Sequence, residues 1–169
     1  ESNITIKGGN VTATGGKVTG TGSQRYSMGL YAANAITIHG GSVTGKSGET
    51  ETYPDYSDGI AASGSITITG GTVTGEGNKS NNTAGIHVLS GRTLTISGGV
   101  VKGIGGPGRT LSYGIRAGTI QIKAGTVTGT GGDSNGKNSL GIYAGSGDMI
   151  ISGGDVTGKS GTGELSCGI

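Results

Sequence analysis

Six times along the chain a phrase close to I-x-I-x-G-G-x-V returns. In every copy the valine lies seven positions after the first apolar residue: Ile4 to Val11, Ile36 to Val43, Ile66 to Val73, Leu94 to Val101, Ile120 to Val127 and Met149 to Val156. A second phrase, glycine followed by isoleucine or leucine, recurs downstream of each copy, at Gly29, Gly59, Gly85, Gly114, Gly141 and Gly168. The full period drifts between 26 and 32 residues, and most of the drift falls between the valine and that glycine. Repeats of this length point to a solenoid, in which each unit buries its apolar face only against its neighbours.

The alternation in I-x-I and around the valine has the period of a strand, and no stretch has helical period. The Gly-Gly pair between strands permits positive φ at a tight corner. Each coil is therefore expected to hold three short strands, I-x-I, V-T-G and G-I-x-A, each pairing in parallel with its copy roughly 4.8 Å away. The expected fold is all-β: a right-handed parallel β-helix of about six coils, starting near residues 4, 36, 66, 94, 120 and 149. One coil buries about five apolar side chains, each contributing roughly 1.5–3 kcal/mol. Ordering its backbone costs about 1–2 kcal/mol per residue, so no coil stands alone. Stacking makes one continuous core.

Composition agrees with a thin core. Glycine supplies 41 of 169 residues without a Gly-X-Y period, which excludes collagen, and there is no Trp or Phe to fill a thick interior. The net charge of +2 is spread without a basic run, so no nucleic-acid footprint is expected. No apolar stretch is long enough to span a membrane as a helix. Cys167 is the single cysteine, and no Cys/His metal spacing occurs. The chain begins inside a repeat, without a signal peptide, and its end copies keep the central consensus. Residues 1–169 are therefore expected to be one β-helix segment excised from a longer protein, with flanking domains or end-to-end contacts.

Several outward positions invite functional readings. The column after the valine (Thr12, Thr44, Thr74, Lys102, Thr128, Thr157) suggests an ice-binding face, but Lys102 interrupts it and threonine is an ordinary outward strand residue. The outward position of G-I-x-A holds Tyr31, Ala61, His87, Arg116 and Tyr143; His39 and His87 read as solvated surface residues. The variable loops should stack on one side of the solenoid. The loop of coil two, KSGETETYPDYSD, brings Glu49, Glu51, Tyr53, Asp55, Tyr56 and Asp58 together, beside Arg25 and Tyr26 of coil one. Sugars are held by flat rings and by carboxylates or guanidinium groups that orient hydroxyls. The candidate glycan site is accordingly Tyr53, Tyr56, Asp55, Asp58, Arg25 and Tyr26, with the face of Tyr31 and Tyr143 next in line. Asp58 and Asp55 are also candidate calcium ligands. The plain alternative is a solvated acidic loop. Asp133, Asp148 and Asp155 lie at different positions of their coils, and no Ser/His/Asp set or phosphate loop is visible, so no enzyme is expected.

The run SDGIAASGSITITGGTVTGEG, residues 57–77, resembles the β-helical carbohydrate-binding domain proteins of clostridial and gut bacteria, whose repeats read like D-G-I-H-A-x-G-x-L-T-I-x-G-G-T-I. The resemblance extends over nearly the whole chain. It implies a secreted, cell-surface module that binds acidic plant polysaccharides, often with calcium. That family places Asp before the G-I strand in several coils, where this chain has Met28, Asp58, Ala84, Tyr113, Leu140 and Cys167; only Asp58 matches. A looser resemblance is to repetitive Gram-positive surface proteins in which such coils form a stalk or an adhesin. The expectation is thus a non-enzymatic extracellular module that binds a polysaccharide or host glycan through its loop side, with calcium as its one conceivable cofactor. A passive stalk is the alternative, and a fragment of a polysaccharide-degrading enzyme comes last.

Overall fold

A computed structural model describes residues 2–19, 25–48 and 55–169. These form eighteen strands and no helix. Coil one contributes β1 (Ile4–Ile6), β2 (Asn10–Thr14) and β3 (Tyr26–Ala32). Coil two holds β4 (Ile36–Ile38), β5 (Ser42–Lys46) and β6 (Tyr56–Ala62), and coil three β7 (Ile66–Ile68), β8 (Thr72–Glu76) and β9 (Ser80–Val88). Coil four holds β10 (Thr93–Ile96), β11 (Val100–Ile104) and β12 (Gly108–Ala117). Coil five holds β13 (Thr119–Ile122), β14 (Thr126–Thr130) and β15 (Asn138–Ala144), and the last coil β16 (Met149–Ile151), β17 (Asp155–Lys159) and β18 (Leu165–Cys167).

Each strand pairs in parallel with its counterpart one coil away, giving three six-stranded sheets. Ile4, Ile36, Ile66, Leu94, Ile120 and Met149 occupy one column of the first sheet. The valines Val11, Val43, Val73, Val101, Val127 and Val156 occupy one column of the second. This is the parallel β-solenoid of three-strand coils that the repeat predicts. Coil two buries Ile36, Ile38, Val43, Ile60 and Ala62, and the same five positions of coils one to five make one core running along the axis, to which the last coil adds Met149 and Val156. The second glycine of each Gly-Gly pair (Gly9, Gly41, Gly71, Gly99, Gly125, Gly154) has φ between 83° and 99°, the left-handed region. The first glycine has no such need, and Ala124 takes its place in coil five.

The glycine of the G-I phrase has a different cause. It meets the glycine of the V-T-G strand of its own coil, backbone against backbone. A Cβ on Gly75 would lie 2.2 Å from the Gly85 carbonyl oxygen, and one on Gly103 2.3 Å from that of Gly114. This neck pinches the coil between the second and third sheets. On its far side sits a buried row of hydroxyls, Ser27, Ser57, Thr83, Ser112 and Ser139. The third sheet bends at the neck: its register runs Asp58 to Ala84, then Ile60 to Ile86, without pairing the glycines between. The buried Ser57 and Ile60 are consequently three residues apart, where a flat strand would place inward residues two apart. Outside, the bend leaves a crease. The row Met28, Asp58, Ala84, Tyr113, Leu140, Cys167 flanks one side, and Tyr31, Ala61, His87, Arg116, Tyr143 the other.

Candidate ligand-binding groove

Over coils one to three the crease opens into a groove of about 610 Å³. Aromatic side chains run along it as a ladder, Tyr26 and Tyr56 from one side of the crease and His87 from the row of the other. The rings of Tyr26 and Tyr56 stack at 5.6 Å and 12°, and those of Tyr56 and His87 at 6.3 Å and 24°. Tyr26 and Tyr56 are in-register partners of parallel strands, which brings like positions about 4.8 Å apart, close to the spacing that stacked rings prefer; His87 reaches Tyr56 from across the crease. Neighbours thus cover both faces of Tyr56. Opposite, the Tyr31 and Ser63 hydroxyls lie 3.0 Å apart within hydrogen-bond distance, and Met28 and Leu89 add apolar surface.

Asp58 lies beneath, 1% exposed. His87 donates from Nδ1 to its Oδ2 at 2.8 Å, and the imidazole itself is largely covered. His87 is therefore not the solvated surface residue that its sequence position suggests. Asp58 stands just before the kink glycine of coil two and His87 just after that of coil three, so the bend turns the two rows toward each other. His87 lies 29 positions after Asp58, three beyond Ala84, the in-register neighbour of Asp58 in the next coil.

Of the sequence-derived site, Tyr26, Tyr56 and Asp58 line the groove. Asp55 and Arg25 stand beside it as an inter-coil clamp. The Arg25 backbone N–H donates to Asp55 Oδ2 at 3.0 Å, and the Arg25 carbonyl accepts from the N–H groups of Asp55 and Tyr56. Asn82 donates twice to the Asp55 carbonyl, from its backbone and its side chain. Tyr53, Glu49 and Glu51 lie outside the described residues. Asp55 and Asp58 are each engaged by different protein groups, and no three Asp, Glu, His or Cys side chains gather among the described residues.

Sequence reasoning missed Met28, Ser63, His87, Leu89, Ser90 and Arg116 as lining residues, because each becomes relevant only through the bend. Tyr31 lines the groove, whereas Tyr143 stacks on Tyr113 at 5.4 Å, beyond its end. Tyr113 is 5% exposed; burial raises its phenol pKa above 10.0, and the guanidinium of Arg116, 5.0 Å from the ring centroid, opposes this in part. No helix among the described residues is long and apolar enough to cross a membrane. Compared with protein-family models, curated proteins and solved structures, the chain matches none of them.

Proposed function

We propose that the chain is a non-enzymatic β-helix module, exported to the bacterial surface or beyond it, that binds glycan in the groove of its third sheet. The lining carries this reading: hydroxyls of Tyr26, Tyr31, Tyr56 and Ser63, the imidazole of His87 and the guanidinium of Arg116 converge on one cleft with apolar patches between them. A volume of about 610 Å³ is of the size ligand sites usually have. Sugars present hydroxyls in fixed directions around an apolar ring, which such a mixed surface suits. The resemblance to β-helical carbohydrate-binding domains points the same way. Asp58 is buried and bonded to His87, which fits it to hold the imidazole in place rather than to act on a bound sugar.

A passive spacer is the second reading, favoured by the continuous stacking of the six coils in all three sheets, a rod on the order of 25 Å long per chain. A glycan array probed with the 169-residue chain separates the two. Binding that disappears in Tyr26→Ala/Tyr56→Ala while the melting temperature stays high is the expected result; an array without a binder leaves the spacer. Chelating calcium is expected to change neither binding nor melting, because Asp55 and Asp58 already bond to protein groups. A calcium-dependent gain in melting temperature would restore the cation site.

A further inference from the structure

The third sheet carries its crease past every coil, yet the groove is open over only part of that length. Before the kink glycine, coils one to three place Met28, Asp58 and Ala84, and coils four and five place Tyr113 and Leu140. Tyr113 and Leu140 are each 5% exposed and pack with Ala84, Leu111 and Tyr143 into a cluster separate from the main core. They fill the crease. At the junction stands Arg116, which lines the groove and lies over the Tyr113 ring, 5.0 Å from its centroid. The groove therefore has an end wall, and the wall carries a guanidinium. At the coil-one end the lining is Tyr26, Met28 and Tyr31, of which the two tyrosines are 48% and 47% exposed.

We infer that the groove recognises the end of a glycan chain, with the terminal sugar against Arg116, and does not grip a stretch of chain interior. This rests on the glycan reading above. A polymer threaded along the crease would have to continue through the volume that Tyr113 and Leu140 occupy. A terminal sugar needs no exit on that side. It also keeps free a hydroxyl that an internal sugar spends on its linkage. The guanidinium, with five donors and no acceptor, takes neighbouring oxygens of such an end, or an anionic group upon it. Asp58 does not compete for Arg116, since its carboxylate is buried against His87. Among the described residues no carboxylate forms an ion pair with Arg116.

The test uses short galacto-, xylo- and gluco-oligosaccharides and the polymers they derive from, titrated calorimetrically into the 169-residue chain. End recognition predicts that each polymer molecule binds a fixed number of protein chains whatever its length, and that blocking the terminal hydroxyls lowers affinity at least about tenfold. Arg116→Met keeps an apolar side chain over Tyr113 and removes the donors; it should lose affinity by about the same factor, with Arg116→Lys partly restoring it. If polymer molecules bind protein in proportion to their length, or Arg116→Met binds like the parent, end recognition is wrong while the glycan reading survives. If none of these sugars nor any arrayed glycan binds, both fall. Should Arg116→Met fail to fold, the polymer stoichiometry of the parent chain still decides.

Discussion

Asp58 is a carboxylate with 1% of its surface exposed, placed where the resembling repeats also carry an acid. Burying it unpaired would cost several kcal/mol, and the bond to His87 offsets that cost. The two partners are not equivalent. His87→Ala strands the carboxylate and should destabilise by about 3 kcal/mol, whereas Asp58→Ala leaves an imidazole with a path to solvent and should cost less. Adding Asp58→Ala to His87→Ala should recover most of the loss in urea unfolding; a double variant as unstable as His87→Ala would mean that the bond is not what supports Asp58. The corner glycines divide in the same manner. Gly71 has φ +87° and a Cβ there would lie 2.6 Å from the Gly41 carbonyl oxygen, so Gly71→Ala should cost about 2 kcal/mol or more. Gly40 has neither constraint, its nearest contact being 3.4 Å from the Lys7 carbonyl oxygen. Gly40→Ala should stay within about 0.5 kcal/mol, and equal melting temperatures for the two variants would refute the distinction. The Gly-Gly phrase is plain in the sequence; which glycine is obligatory is not, save for the hint of Ala124.

The strands of the third sheet do more than close the core. Two residues before each kink glycine stands a hydroxyl: Ser27, Ser57, Thr83, Ser112, Ser139 and Ser166. Ser112 donates to the Gly106 carbonyl of its own coil at 2.9 Å and accepts the Gly132 N–H of the next at 2.7 Å. Ser139 repeats the pattern with Gly132 and Gly161. These bonds satisfy backbone groups where the loops leave the second sheet, and they tie each loop to the coil that follows. Ser112→Ala should therefore cost roughly 1–3 kcal/mol by leaving a buried N–H and carbonyl unpaired, while Ser112→Thr should be milder, as Thr83 occupies the same row. Chemical denaturation of both variants checks this, and an unperturbed Ser112→Ala would reduce the row to coincidence. The signal is present in the sequence as a hydroxyl at a fixed offset from glycine. Its meaning depends on the neck, where two strands of one coil touch, and no periodicity within a strand reports such a contact.

Stability should be greatest in the middle of the solenoid, where each coil has neighbours above and below. Ile68 is fully buried, whereas Ile151, its counterpart column in the last coil, is 45% exposed. Ile68→Asp should abolish folding and Ile151→Asp should be nearly silent in the 169-residue chain, read from circular dichroism and melting; the reverse order would overturn the inward register. The repeat alone was enough to determine the strands, their parallel stacking, the columns of the core and the corner glycines. Those features are the same in every coil, so a local period seen six times specifies them. The groove arises from positions where the coils differ: Asp58 against Met28 and Ala84, His87 against Ala61, Tyr113 and Leu140 against the smaller Asp58 and Ala84. What such a residue does depends on a neighbour one coil away and across a bend. The pairing of Asp58 with His87, the stacking that covers Tyr56 and the end wall under Arg116 were decided only by the tertiary structure, because the backbone contact that makes the bend joins strands whose separation along the chain varies from coil to coil.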